Sequence, residues 1–583
     1  MTLPLPSDSP LRRRSVSPRQ QWQLEQAGVH PLLARLFAGR GVADRESLDP
    51  ALTGLIPPQR LTHVDEAAEL LADALEAEAR LLIVADYDCD GATACALAIR
   101  ALRACGATVD YVVPDRFSLG YGLSPAVVDL AAERHPDLII TVDNGIASVE
   151  GVARAQALGI STLITDHHLP GEQLPAADCI VNPNQPGCAF PSKALAGVGV
   201  MFYVLLALRA TLRSRAWFET QGISEPNFAQ WLDLVALGTV ADVVPLDRNN
   251  RILVAQGIKR IRAGRAQAGI QALFTAAGRS SALASASDLG FLIGPRLNAA
   301  GRLADMGLGI ECLLTDDPLR ALEIAQSLDA LNQERREIEA DMQAQAHRIL
   351  ETLDESVSSA GLALFDPEWH QGVVGIVAAR IKDRLHRPVF VFARGDEGLL
   401  KGSGRSIPGI HLKDVLDALS KANPSLLLAF GGHAAAAGCT LREADFENFR
   451  AQFTALTEPL LSEDIRHRTL TTDGELEEAY LNLPVARMLV AEVWGQGFPP
   501  PLFEGVFEVE SIKLLKDKHL KLRLRYSGGA LDGIYFNAPV GFTPRAGTPV
   551  RLAFRLEVNH FNGREMPQLL IEHLEPNVSE CLS

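Results

Sequence analysis

Short, unbroken apolar runs alternate with Ala- and Leu-rich amphipathic stretches from residue 65 onward, and this alternation predicts the architecture of the first half of the chain. Residues 65–79 (DEAAELLADALEAEA) carry apolar positions at helical spacing. Runs at 81–85, 109–113, 138–142 and 162–164 then read as strands, separated by helical stretches at 92–104, 124–135 and 148–158. Strands that are apolar throughout bury both faces, so the pattern predicts a parallel sheet with helices on each side, a doubly wound α/β domain. Beyond it, WLDLVALGTVADVVPL reads as a helix that ends near Gly238 and delivers Asp242. Residues 317–350 keep helical periodicity with a charged outer face for longer than an ordinary helix, which suits a connecting helix. From Gly361 a second α/β unit begins, carrying Trp369-His370-Gln371-Gly372, GSGRS at 402–406 and GGHAAAAG at 431–438. Toward the C-terminus the period changes to two, as in Leu520-Lys521-Leu522-Arg523-Leu524-Arg525, the mark of half-buried β-sheet. Turn signals at 527–529 and 561–564 make this a small β-barrel or meander.

Composition narrows the class. At 583 residues the chain exceeds one hydrophobic core, and 47% hydrophobic with 22% charged residues is the balance of a globular enzyme. No apolar run approaches the roughly 20 residues needed to cross a bilayer. The opening MTLPLPSDSPLRRRSVSPRQ has arginines without an apolar segment behind them, so no secretory signal is visible and a cytoplasmic protein is expected. Eight cysteines without a CxxC pair, with Cys89, Cys95 and Cys105 in strand or helix context, read as small buried apolar residues rather than a disulfide or zinc framework. A net charge of -16 argues against a protein that coats nucleic acid through a global positive field. A phosphate-bearing substrate has to be met locally, and acidic clusters holding divalent cations are one way to do so.

Three of the predicted strands end in acid: Asp86-Tyr87-Asp88-Cys89-Asp90-Gly91, Asp143-Asn144-Gly145 and Asp166-His167-His168. In open parallel sheets ligands gather beyond the carboxyl ends of the strands, where these clusters can converge. A single Asp at such a place often only caps the next helix. Three aspartates at alternating positions within six residues, however, repel one another unless a cation meets them. Carboxylates mixed with imidazole suit Mn²⁺ or Mg²⁺, and imidazole tilts the choice toward Mn²⁺.

DYDCDG, VDNG, DHH and GTVAD, in this order and spacing, resemble the four metal-binding motifs of the DHH phosphoesterase superfamily. GPRLNAAGRL, GSGRS and GGHAAAAG further resemble its branch of single-strand-specific DNA exonucleases, and the likeness runs from about residue 60 onward. The resemblance implies a leader with helices (1–60), a DHH catalytic domain (61–310), a connecting helix (311–352), a DHH-associated domain (353–460) and an OB-fold (461–583). It implies a catalytic set of Asp86, Asp88, Asp90, Asp143, His167, His168 and Asp242 around two Mn²⁺ or Mg²⁺ ions. In that pattern Asp88 and Asp90 serve one ion each, Asp143 and Asp242 lie between the two, and His167 completes a shell. Asp86 and His168 stay open between outer-shell and catalytic roles.

For substrate, the resemblance puts Asn298 and Arg302 on the strand's path, against the plainer reading that Arg302 caps a helix C-terminus. Arg116 joins the substrate-binding set. Ser403, Arg405, Ser406, Gly431, Gly432 and His433 combine hydroxyls, exposed backbone N–H groups and a cation, which suit a terminal phosphate, by resemblance the 5′ end. Lys521, Arg523 and Arg525, with Lys513, Lys516 and Lys518 before them, read unaided as a solvated face. In an OB-fold they become a cationic groove, with Phe503, Phe507, Tyr526, Tyr535 and Phe536 available for stacking. The implied activity is 5′-to-3′ degradation of single-stranded DNA to 5′-mononucleotides in repair and recombination, by a monomer, away from membranes, beside a single-strand-binding protein and a RecQ-type helicase. Competing readings are a phosphodiesterase of the same superfamily acting on short oligoribonucleotides or cyclic dinucleotides, a manganese pyrophosphatase, and a catalytically dead scaffold. The terminal β-module argues against the first two and the complete set of motif acids against the third.

Overall fold

The computed structural model describes residues 10–114, 122–352, 360–395, 398–462, 465, 469–516, 518–538, 544–561 and 563–576. Two compact units emerge: Met1–Gly301 with Asp305–Asp329 and Thr471–Ser583, and Arg302–Ala304 with Ala330–Leu470. Arg116 lies outside the described residues.

In the first unit, helices α1 (Pro18–Gln26), α2 (Pro31–Ala38) and α3 (Val64–Glu76) precede a five-stranded sheet. Its strands are β1 (Arg80–Ala85), β2 (Thr108–Val112), β3 (Leu138–Val142), β4 (Ser161–Thr165) and β5 (Cys179–Val181), all parallel, in the order β2-β1-β3-β4-β5. Helices α4 (Cys89–Ala104), α5 (Pro125–Ala132) and α6 (Val149–Ala157) fill the crossovers. The doubly wound sheet is therefore the one expected, and its strand order reverses between β1 and β3, where such folds open a crevice. Every residue of β3 is buried, which is why its sequence runs Leu-Ile-Ile-Thr-Val rather than alternating.

Among the further helices of this unit's core are α7 (Gly197–Ser214) and α8 (Leu232–Ala241). By length and apolarity α7 alone, among the described residues, could cross a bilayer, contrary to the expectation that no segment comes near. It is instead a core helix, mostly buried against α3, α4 and α8. The expected end of α8 near Gly238 is also corrected. The helix runs on to Ala241, because Gly238 serves close packing: a Cβ there would lie 2.2 Å from Thr93 Oγ1 and 2.7 Å from Asp90 Oδ1. Helix α9 (Gly294–Leu303) follows, and α10 (Pro318–Thr352) is the long helix the periodicity predicted.

The second unit holds a mixed sheet of β6 (Leu362–Phe365), β7 (Val389–Arg394), β8 (Leu399–Arg405), β9 (Ala429–Gly432) and β10 (Ala436–Arg442), with α11 (Val374–Leu385), α12 (Leu412–Ala422) and α13 (Phe446–Thr457). GSGRS lies mostly on strand β8. Its glycines admit aromatic rings, since a Cβ at Gly402 or Gly404 would press into Phe392 or Phe390.

The C-terminal strands β11 (Phe503–Leu515), β12 (His519–Tyr526), β13 (Gly529–Tyr535), β14 (Pro549–Phe561) and β15 (Arg564–Pro576) form a closed barrel in the order β11-β12-β13-β15-β14. Hairpins join β12 to β13 and β14 to β15, at the two turn signals in the sequence; Asn562 of the second lies outside the described residues. Within the first unit, the segment leading into the barrel is tied to the N-terminal helices by a buried ion pair. The Arg40 guanidinium donates to both Asp473 oxygens at 2.8 Å and lies over the Trp494 ring. Cys89, Cys95 and Cys105 are buried free thiols, as expected.

Candidate metal centre

Register brings the acids together. Ala85 of β1 pairs with Val142 of β3, and Val142 with Thr165 of β4. The next residue on each strand is Asp86, Asp143 and Asp166, side by side at the carboxyl edge of the sheet.

Each carboxylate is then fixed by local structure. Asp88 does cap α4, as the plainer reading had it, accepting from the N–H groups of Asp90 and Gly91 at 2.9 and 3.1 Å. Asp90 is buried and receives the N–H groups of Gly197 and Val198 at 2.6 and 3.0 Å, so it sits at the positive end of α7. Asp143 adopts φ 64°, a left-handed conformation that Asp tolerates better than most residues. Behind it, Asn144 Nδ2 donates to the carbonyls of Val84 and Val142 and locks the turn. Asp242 caps the end of α8.

His167 Nε2 lies 3.1 Å from Asp143 Oδ1 and 3.5 Å from Asp242 Oδ2. Ligand atoms of Asp90, His167 and Asp242 fall within 4.8 Å of one another, as do those of Asp86, Asp88 and Asp143, and those of Asp143, His167 and His168. All seven predicted catalytic side chains therefore meet in one place.

Sequence reasoning missed the residues that hold the histidines. Asp166 accepts from the N–H groups of Ile146, His167 and His168 and pairs with His168 Nδ1 at 2.7 Å. Asn182 and Asn184 donate to the carbonyls of His168 and His167. Their signal was the VNPN run directly after β5, a polar strand end like the other three.

Burial and crowding set the electrostatics. Burial first, then Asp88, pushes Asp90 up to about 7 despite its two backbone hydrogen bonds. Asp143 and Asp242 are raised by burial and then by the surrounding acids. Burial, and then the charge of His168, drives His167 down to about 4, so its ring is neutral at physiological pH. Burial opposes the charge on His168 and on Asp166, but their mutual hydrogen bond and attraction outweigh it, raising the histidine and lowering the aspartate.

A divalent cation fits this site. His167 Nε2 and Asp242 Oδ2 are buried without a hydrogen-bond partner among the described residues, which is costly unless something else meets them. A neutral imidazole nitrogen among carboxylate oxygens is a donor set for Mn²⁺ or Mg²⁺. Because Asp90 holds a proton below about pH 7 and a cation needs its ionised form, Mn²⁺ affinity should rise as pH rises toward and through about 7. Calorimetry at pH 6 in buffers of different ionisation enthalpy should show proton release on binding; a heat independent of buffer would contradict this.

Of the predicted substrate residues, Asn298 reaches the acid loop, its Oδ1 accepting from Cys89 N–H at 2.8 Å. Arg302 donates to the Gly372 carbonyl at 3.2 Å. In the second unit, Ser403 and Arg405 on β8 face Gly438 and Ala436 on β10, which in turn pairs with Gly431 and Gly432 on β9. The Arg405 guanidinium is mostly buried, donates to Ser403 Oγ and the Gly404 carbonyl, and has no carboxylate in ion-pair range among the described residues. Ser406 turns its hydroxyl to the Ile410 carbonyl, and His433 N–H closes the turn onto Ala436.

On the barrel, Lys521 and Arg523 pair with Asp532, and Arg525 with Glu510. The cation row is thus charge-compensated from neighbouring strands. Phe503 and Phe507 are core residues beside Phe554, not stacking platforms, whereas Phe536 is half exposed.

Comparison with known proteins agrees with this layout. Residues 80–239 match the DHH family N-terminal domain, 356–458 the DHHA1 domain and 472–573 the RecJ OB domain. The chain is 51% identical over 573 residues to the single-stranded-DNA-specific exonuclease RecJ of Dickeya dadantii, covering 97% of this chain and 99% of that protein. It is 49% identical to the protein of the same name from Escherichia coli, with the same coverage. The crystal structure of Thermus thermophilus RecJ in complex with Mn²⁺ matches with a TM-score of 0.80 at 32% identity, covering 97% of this chain and 79% of that one.

Proposed function

The chain belongs to the RecJ family of single-stranded-DNA-specific exonucleases, and from that premise we propose that it degrades single-stranded DNA from the 5′ end by metal-dependent hydrolysis, releasing 5′-mononucleotides. The observation that carries the reading is the meeting of Asp86, Asp88, Asp90, Asp143, His167, His168 and Asp242 at one rim of the sheet. Asp88, Asp90, Asp143, His167 and Asp242 would hold the cations. Divalent ions, when bound, supply Lewis acidity and lower the pKa of water toward neutrality.

The protein's own part is positioning. Asp90 is anchored by the N-terminus of α7, and Asp166 fixes the ring of His168 through Nδ1, so neither group has to reorganise during reaction. Asn298 ties α9 to the acid loop and keeps that wall of the site in place. Arg405, half-buried and without a carboxylate partner among the described residues, with Ser403 beside it near the start of α11, forms an anion site suited to the 5′ phosphate.

The reading extends to work in DNA repair and recombination in the cytoplasm. The chain would act as a monomer. An enzyme that needs unpaired strands depends on their supply, which fits a single-strand-binding protein and a RecQ-type helicase as companions.

The test uses a 5′-phosphorylated single strand, the same strand blocked at its 3′ end, and a blunt duplex, each with Mn²⁺ and with chelator. Mononucleotides should leave both single strands at equal rates, the duplex should resist, and chelator should stop the reaction. Release blocked by the 3′ modification, or activity surviving in chelator, would overturn the proposal.

A further inference from the structure

Three apolar side chains stand in solvent on segments that carry the acid cluster or pack against the helix leading to it. Leu169 follows His168 and is 60% exposed, Val243 follows Asp242 and is 61% exposed, and Phe291 is 84% exposed. One exposed apolar residue is ordinary, but two of these also sit on unusual backbone. Val243 is β-branched and adopts φ 62°, a left-handed conformation that such residues rarely take and that tends to cluster at functional sites. Phe291 lies in a π-helical turn, Leu289–Ile293, a geometry also frequent at functional sites.

That turn is pressed onto the helix that delivers Asp242. A Cβ at Gly290 would lie 3.2 Å from Val240 Cγ1, and one at Gly294 would lie 3.1 Å from Ala241 Cβ. The segment after Val243 meets the C-terminal module: Leu246 N–H donates to the Gln496 carbonyl at 2.7 Å, and Gly497 packs on Pro245. Val243 thus opens a segment that meets the C-terminal module, and Phe291 lies on a turn packed against the helix that delivers Asp242.

We infer that Phe291 is an apolar platform against which a nucleobase stacks as the strand approaches the metal centre. The inference rests on the exonuclease reading and deepens it by assigning how a base, rather than a phosphate, is held. A splayed base offers its π-face to an aromatic ring whatever its identity, whereas a base inside a duplex is covered on both faces by its neighbours. The platform therefore favours unpaired strands without reading sequence. Charge makes it useful: the net charge is -16 and Lys521, Arg523 and Arg525 of the barrel are already paired, so stacking supplies affinity that depends little on salt.

One stacked base is worth about tenfold in affinity. Phe291→Ala should therefore bind a fluorescent single-stranded oligonucleotide about tenfold more weakly in chelator, and Phe291→Trp should restore binding. In Mn²⁺ most of the loss in Phe291→Ala should fall on KM. A single abasic residue scanned through the strand should weaken wild-type binding at one position by about the same factor and leave Phe291→Ala unaffected there. Wild-type affinity in Phe291→Ala, or an equal abasic penalty in both proteins, would overturn the inference. The binding arm needs no catalysis, so failure of all hydrolysis would count against the exonuclease reading while the binding ratio still decides this one.

Discussion

Asp143→Asn should lower the rate of single-strand degradation in Mn²⁺ by at least about 10³-fold, because groups that act as a unit lose most of their effect when one is removed. Asn is the cleaner substitution. It tolerates the φ of 64° at this position, where Ala would add roughly 1–2 kcal/mol of backbone strain; Asp143→Ala should be equally inactive. The fold should survive. The folded-state pKa of Asp143 is raised by burial and then by Asp90, Asp88, Asp242 and Asp86, so once pH exceeds the ordinary carboxylate value its ionisation opposes folding in the metal-free protein. Removing it should leave the Tm in chelator unchanged or higher at pH 7. Adding Mn²⁺ should raise the wild-type Tm, as any ligand of the native state does, and raise that of Asp143→Asn much less. A variant that degrades DNA at the wild-type rate, or gains the same stabilisation from Mn²⁺, would contradict the assignment.

Gly197→Ala should be nearly as damaging although it changes no ligand. In a helix this substitution normally stabilises by about 1 kcal/mol. Here the new Cβ would lie 2.5 Å from Asp143 Cβ and 2.6 Å from its Oδ1. Neither partner can move freely: Gly197 opens a buried helix and donates its N–H to Asp90, and Asp143 is held in the turn that Asn144 locks. Displacing the carboxylate by a large fraction of an ångström should cost on the order of 10²-fold in kcat/KM. The measurement is steady-state kinetics beside a circular-dichroism melt. Wild-type kinetics in a folded Gly197→Ala would show that Asp143 has room to spare.

How much of this was legible beforehand depends on the kind of interaction. The sheet was, because strands buried on both faces write themselves as continuous apolar runs, and once those strands are parallel and in register their terminal acids must converge. The packing role of Gly238 was not. Glycine reads as a helix terminator, and only the approach of Thr93 and Asp90 shows why one is needed inside α8. The barrel illustrates a second limit. Alternation at 520–525 separates two faces, but it does not show that Asp532 and Glu510 on adjacent strands neutralise the cations. Nor could it show that Phe503 and Phe507 point into the core. Asp166 was visible as a strand-terminal acid, yet its role of holding both histidine N–H groups follows from the tightness of the turn, which no spacing encodes.

The claim beneath all of this is that side chains from four separate stretches of sequence close on one pair of cations. Anomalous difference density from crystals soaked in Mn²⁺ measures that directly. Two peaks roughly 3.5–4 Å apart should appear, bounded by Asp88, Asp90, Asp143, His167 and Asp242. Density at any other place in the chain, or none within bonding distance of Asp143, would contradict the account.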